Sequence, residues 1–284
     1  MKKAILLNDT SDENHLGSMQ TVQSIKGLLH KHGFTVVKPF SRKAILESES
    51  SVKEAVKDAN LIVVNGEGTM HRGNKIMENI ARLCARRSSV LINTVWEKMF
   101  VDTTDFVNLF SLIAVRESYS YREIVKFVDK KKVMLVPDAI FYTKVEKPTT
   151  VIGYGDSVLD YLRTNLSRRK NYFPTELVAT KPDWDAYITW LRSLDLHVTG
   201  RFHGVCAAAL AGTPFVAFPS NSYKVEGLLA DMGCQDLLID RQSTALGKKQ
   251  RAVELQPKIQ EYVVRARTQL DVLFGKLKHF AEKQ

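Results

Sequence analysis

The sequence predicts an α/β protein of two doubly wound domains that face each other across a cleft. Three observations predict it. Apolar β-type runs alternate with amphipathic helical stretches along nearly the whole chain, the order required by a parallel sheet with helices on its faces. The alternation pauses once, at "KVEKPTT" (144–150), and then resumes. That pause divides the 284 residues into an N-terminal domain, 1–145, and a C-terminal domain, 146–284, each of ordinary domain size.

In order, "AILLN" (4–8) is a first buried strand. Val22, Ile25, Leu28 and Leu29 share one face of a helix from about Met19 to His32, and Gly33 stands where a helix stop belongs. "FTVVKPF" is a second strand, Ser51 to Asp58 a short helix, and "NLIVVNGEG" a buried strand that ends in glycines. "IMENIARLCARR" is helical, "SVLINTVW" and "LFSLIAVRE" are strands, "SYREIVKFV" is helical, and "KVMLVPDAIF" is a strand. Beyond the link come the strand "TVIGYG", a helix from about Ser157 to Leu166, the strand "ELVAT" and the helix "DWDAYITWLRSL". They are followed by the strand "LHVTG", the helix "GVCAAALAG", the strand "PFVAFP" and the helix "VEGLLADMG". One long helical stretch, from about Ala252 to Lys283, closes the chain.

Composition narrows the function classes. Apolar residues make up 44% and charged residues 25%, the balance of a soluble globular chain. The opening apolar run, Ala4 to Leu7, is too short for a signal peptide core, and no run approaches a bilayer span, so a cytoplasmic protein is expected. Cys84, Cys206 and Cys234 are odd in number and far apart, which gives neither a disulfide framework nor a metal spacing. The net charge of +10 attracts anions: a phosphorylated small molecule, nucleic acid, or the anionic face of a membrane touched from outside.

In doubly wound sheets ligands bind outside the carboxyl ends of the strands. Four such ends carry chemistry. In "NDTSDENHLGS" (8–18), Asp9 and His15 can hydrogen-bond a substrate or exchange protons with it; the same residue types also serve turns and helix caps. In "NGEGTMH" (65–71), Gly66 and Gly68 allow close approach to an acceptor. Between them Glu67 is a natural general base for a hydroxyl, with His71 four residues on. In "VRESYS" (115–120), Arg116 offers a planar fork to a phosphate or carboxylate, or forms an ion pair at the following helix. Asp138, in "PDAIF", fixes a turn. The fourth end is "VTGRFHGVCAAALAG". Gly200 and Gly204 bracket Arg201 and His203 just where a small-residue helix begins, which unites helix amides, a guanidinium and an imidazole into an anion-binding turn, where His203 can donate to a phosphate oxygen or protonate a leaving group. Ser220, Asn221, Ser222 and Lys224 follow the next strand.

"VTGRFHGVCAAALAGTPFVAFPSNSYKVEGLLADMG", with "VRESYS" and "LVPDAIF" in order before it, resembles the signature of the polysaccharide pyruvyl transferase superfamily. That family is similar in fold to GT-B glycosyltransferases, with two Rossmann-like domains. The resemblance implies that Arg201 and His203 contact the donor phosphate and that Arg116 matches the family's arginine at the end of the N-terminal half. The N-terminal half departs from the pattern. "NDTSDENHLGS" and "NGEGTMH" stand where the family carries an Asn-x-Gly-Asp type loop and a Gly-Gly-Gly loop.

The expected activity is transfer to a hydroxyl of a carbohydrate-bearing acceptor. Glycosyl transfer from a nucleotide sugar needs a phosphate cradle and a base, supplied by the Arg201/His203 turn and by Glu67, Asp9 or His15. The acceptor is a glycan, lipid-linked or free, or DNA with hydroxylated bases. Pyruvyl transfer from phosphoenolpyruvate to a polysaccharide sugar is the alternative, with Arg116, Arg201 and His203 as its cations. A binding module for sugar or nucleic acid that has lost activity is the third reading. No metal or cofactor is required by any of these residues, because helix amides, Arg201 and Lys224 can neutralise a leaving phosphate.

Overall fold

The structure, a computed structural model, describes residues 1–13, 15–68, 75–85, 87–97, 104–145, 184–240 and 244–281. The N-terminal half is a six-stranded sheet, all neighbours parallel, in the order β2-β1-β3-β4-β5-β6. The strands are β1 (Lys2–Asp9), β2 (Phe34–Ser41), β3 (Leu61–Asn65), β4 (Ser89–Thr94), β5 (Leu112–Val115) and β6 (Val133–Leu135). Both β3 and β4 are buried at every position, as central parallel strands covered on two faces must be. β2 is an edge, and Lys38 and Pro39 on it are exposed, a composition that discourages further strand pairing.

Among the described residues six helices accompany this sheet: α1 (Leu16–Lys31), α2 (Arg42–Glu47), α3 (Glu49–Lys57), α4 (Lys75–Cys84), α5 (Thr104–Val107) and α6 (Ser118–Ile124). The chain steps from β1 outward to β2, then returns to β3 on the other side of β1. That reversal places a topological switch point between the carboxyl ends of β1 and β3, where doubly wound sheets bind ligands.

In the C-terminal half α7 (Trp184–Arg192) precedes the parallel pair β7 (His197–Thr199) and β8 (Phe215–Ala217), joined by α8 (Phe202–Ala211). Leu238 adds a parallel bridge to Ala217. α8 lies close on β7 because Gly204 has no side chain: a Cβ there would stand 2.5 Å from Thr199 Oγ1. After β8 come α9 (Lys224–Met232), α10 (Lys249–Glu254) and α11 (Gln256–Phe280).

The expected strand "TVIGYG", the helix 157–166 and the strand "ELVAT" lie outside the described residues. Elsewhere two expectations need correction. "KVMLVPDAIF" is a strand only over Val133–Leu135; Asp138 then caps a 3-10 turn, Ala139–Tyr142. The final helical stretch is two helices, broken at Leu255. Pro257 sits in the first turn of the second, and its ring clashes with the carbonyl a turn back and offers it no amide hydrogen.

One hydrophobic core runs through both halves. Leu6, Val22 and Ile140 belong to the same buried cluster as Val205, Val216 and Leu273. α11 fastens it. Arg267 donates to the Phe141 and Thr143 carbonyls (3.1 and 3.2 Å), and Tyr262 meets Phe141 edge to face. Asp271 pairs with Lys31 and His32 of α1, and Gln260 donates to the Ala209 carbonyl of α8.

Candidate active site

Three strands of the N-terminal sheet carry an asparagine at the last or the last but one position, Asn8 in β1, Asn65 in β3 and Asn93 in β4, and these asparagines are wired together. Asn8 donates to the Asn65 carbonyl (2.5 Å), Asn93 to Asn65 Oδ1 (3.2 Å), and Asn93 Oδ1 accepts from the Ala139 amide (2.9 Å). Asn8 and Asn93 both take positive φ, which asparagine tolerates better than most residues. The strand ends themselves carried this signal, but its meaning needed the strand order.

Glu67 also takes positive φ (41°), a conformation that costs a glutamate on the order of 1–3 kcal/mol. Its backbone is held by the Val95 amide, and Gly66 beside it permits contact with Thr94, where a Cβ would approach to 2.6 Å. The carboxylate is aimed by three donors. Oε1 accepts from Thr10 (2.5 Å) and Asn65 (3.0 Å), and Oε2 accepts from Ser18 (3.1 Å). An ionised carboxylate offers about four acceptor positions. Among the described residues one remains, on Oε2. Gly68 follows at the same turn; His71 lies outside the described residues.

His15 caps α1. Its Nδ1 accepts from the Ser18 amide (3.1 Å) and stands 3.1 Å from the Ser18 hydroxyl. Burial, then the charges of His203 and Arg201, pull its ionisation down to about 4, so the ring is neutral at physiological pH. Asp9 is turned to structural use. It accepts from the Ser11 amide and hydroxyl (2.9 and 2.5 Å) and pairs with Lys26 (2.9 Å). Burial pushes its carboxyl up, but Ser11 and Lys26 more than offset that and hold it below the usual range.

From the other half, α8 begins at the edge of this network. Arg201 occupies the N-cap position with no side-chain cap bond, and its amide donates to Thr199 Oγ1 (3.2 Å). Arg201 is half-buried, and burial, partly offset by Tyr187, lowers it to about 10, still charged at neutral pH. The His203 ring lies 5.4 Å from that of His15, centroid to centroid. Lys224, at the start of α9, donates to Asn221 (2.7 Å). Burial and the nearby Arg116 guanidinium pull Lys224 down to about 8, while Glu67 and Glu97 act in the opposite direction. Ser220 reaches Asn221 (3.4 Å), and Ser222 is buried with no hydrogen-bond partner for its hydroxyl among the described residues.

Arg116 sits beneath the turn. It is only 2% exposed, bonds Asp138 (2.8 Å), and lays its guanidinium 3.9 Å from the centre of the Phe202 ring. Nor does it form an ion pair at α6: Glu117 caps that helix, accepting from the Tyr119 and Ser120 amides, and Asp231 accepts from the Ser118 amide (2.9 Å). Gly227 of α9 packs so tightly on Glu117 that no Cβ would fit.

The structure thus brings Glu67, His15, Arg201, His203 and Lys224 toward one place, where the starts of α1 and α8 lend positive potential. Sequence reasoning missed Thr10, Ser18 and Asn65, which aim Glu67. Among the described residues no group of three or more His, Cys, Asp or Glu side chains is placed to hold a metal ion. No helix among them is long and apolar enough to cross a membrane.

Residues 22–222, which include Glu67, Arg201 and His203 but not His15 or Lys224, match the polysaccharide pyruvyl transferase family. The chain belongs to that family. It is a transferase that modifies carbohydrate, on the GT-B fold. Solved structures share its architecture. A putative UDP-N-acetylglucosamine 2-epimerase from Listeria monocytogenes aligns with TM-score 0.58 at 10% identity, over 99% of this chain and 97% of that one. Anabaena HepE, in complex with UDP and glucose, aligns over 100% of both chains with TM-score 0.54 at 12% identity. An α-glucosyltransferase, in complex with UDP and a 13-mer DNA containing a HMU base, aligns over 99% of both with TM-score 0.53 at 8% identity. No curated protein matches the transferase's sequence.

Proposed function

We propose that this transferase moves a glycosyl group from a nucleotide sugar to a hydroxyl. One observation carries the reading: Arg201, His203 and Lys224 gather about neutral His15, beside a carboxylate that has one acceptor position left. Neighbouring positive charge adds to burial in pulling Lys224 down to about 8. A bound anion relieves such repulsion. The donor diphosphate lies between the starts of α1 and α8, against Arg201, His203 and Lys224. The acceptor hydroxyl donates to the remaining position on Glu67 Oε2. As its oxygen bonds the anomeric carbon, the bond from that carbon to the diphosphate breaks and Glu67 takes the proton. The cations hold the leaving group, and no metal or cofactor is assigned a step. The acceptor is a glycan or a hydroxylated base of nucleic acid; the family match supports the first, and the likeness in fold to an α-glucosyltransferase in complex with UDP and DNA supports the second. Action in the cytoplasm, with peripheral contact to an anionic membrane, suits a lipid-linked acceptor.

Pyruvyl transfer from phosphoenolpyruvate is the second reading, favoured by the family match. That donor presents a carboxylate as well as a phosphate. The burial of Arg116 and its engagement with Asp138 remove the guanidinium that would meet the second anion, which favours the glycosyl reading. Thermal-shift titration with UDP-sugars, other nucleotide sugars and phosphoenolpyruvate separates the two, because a ligand that binds only the folded state raises Tm. Stabilisation by nucleotide sugars is expected. Stabilisation by phosphoenolpyruvate alone overturns the glycosyl reading.

A further inference from the structure

A turn-forming role accounts for only one of the contacts of Asp138. Its Oδ1 accepts from the Ile140 amide (3.0 Å), closing the turn, but also from the Thr21 hydroxyl of α1 (3.2 Å). Its Oδ2 accepts from Arg116 (2.8 Å) and stands 3.8 Å from Nε2 of His203, too far for a hydrogen bond in this state but near enough to set its charge environment. The carboxyl is wholly buried. Burial would raise its ionisation, yet the adjacent His203 and Arg116 override that and keep it well below the usual carboxylate range. Nε2 of His203 is itself buried and has no hydrogen-bond partner among the described residues. Nδ1 lies toward the first turn of α1: a Cβ on Gly17 would stand 2.5 Å from it.

We infer that Asp138 is a positioning residue, whose carboxylate keeps the His203 proton on Nε2 and turns Nδ1 toward the anion site. A neutral imidazole carries one N–H and one lone pair. A lone pair on Nε2 would face the carboxylate with acceptor against acceptor; a proton there makes the contact attractive. Arg116 holds the same oxygen, Oδ2, and keeps the carboxylate ionised. When a phosphate arrives, Nδ1 takes a proton from solvent, and the imidazolium donates through Nδ1 to a phosphate oxygen while Asp138 balances the charge behind it. The phosphate-binding part rests on the donor site proposed above; the tautomer does not.

Nitrogen-15 NMR of the ligand-free protein at alkaline pH reads the tautomer, with the His203 signals assigned by their loss in His203→Gln. A pyrrole-type Nε2 and a pyridine-type Nδ1 are expected. Asp138→Ala, which removes the oxygen that faces Nε2, should lose this preference, with the Nδ1–H form gaining population. Thr21→Val, which keeps the carboxylate, should not. A pyridine-type Nε2 in the wild type overturns the inference, and that spectrum decides even where Asp138→Ala fails to fold. A folded Asp138→Ala with an unchanged tautomer overturns it too. Inorganic pyrophosphate should bind Asp138→Ala roughly tenfold more weakly than wild type, the scale of one charge-assisted hydrogen bond. Equal affinity overturns the positioning role. A wild type that shows the Nε2–H form yet binds no pyrophosphate supports the tautomer assignment and sinks the donor site instead.

Discussion

The ring of His203 fills the space that a side chain at Gly17 would need: a Cβ there would lie 2.4 Å from His203 Cβ and Cγ. Helix propensity alone would make Gly17→Ala a gain of about 0.5–1 kcal/mol. The clash reverses the sign, and a loss of about 1–3 kcal/mol in urea unfolding is expected, with weaker pyrophosphate binding. At Gly27, in the same helix, a Cβ would meet nothing within 4 Å, so Gly27→Ala should show the propensity gain. Equal effects at the two sites would contradict the packing of His203 on α1.

Glu67→Gln keeps the size of the side chain and removes its capacity as a base. Turnover should fall by about 10²–10⁴, the usual share of general base catalysis, while nucleotide affinity changes little. Quenched-flow turnover beside a calorimetric titration checks both. Unchanged turnover removes Glu67 from the base role.

Lys224 gives opposite pH trends for binding and for stability. Its ammonium is cationic below about 8, so anion affinity should fall as pH rises through that value. Between about 8 and the ordinary lysine value of 10.5 the unfolded chain binds more protons than the folded one, so this residue's contribution makes stability rise with pH there. Lys224→Met should remove both trends, raise Tm without ligand and weaken pyrophosphate binding. His15 acts on stability in the same direction between about 4 and 6.5. Denaturation midpoints across pH, wild type against variant, measure each contribution.

Arg267→Ala removes two charged hydrogen bonds from α11 to the Phe141 and Thr143 carbonyls. A loss of about 1.5–3 kcal/mol is expected. Because one core spans both halves, fluorescence and circular dichroism should report a single coincident unfolding transition. Two separate transitions would show that the halves fold independently.

Much of this architecture was legible as pattern. β3 is a run of β-branched and leucine residues closed by asparagine, and α8 is a run of alanines between glycines; neither reads as anything else. The turn stood out because the sequence offers Arg201 and His203, between glycines, no packing partner; only the structure gives His203 one, at Gly17 of α1. The place of Arg116 was not visible. At a strand end an arginine reads as a ligand-binding fork, and only the approach of Phe202 and Asp138 from distant parts of the chain puts it under the turn. Asp138 was hidden for the converse reason: its local hydrogen bond to Ile140 explains it fully until α1 and α8 are docked.

By itself the sequence determined the alternation of strands and helices, the parallel sheet that follows from it, and the chemistry at the strand ends, because hydrophobic period and glycine placement act over a few residues. The tertiary structure alone decided which strand ends meet. Strand order sets β1 beside β3 and so gives Glu67 its partners Thr10 and Ser18. The docking of α8 on α1 sets His203 against Gly17 and beside His15. Hydrogen bonds and charges act only at contact distance, and contacts between residues a hundred or more apart in the chain come from the packing of the shared core.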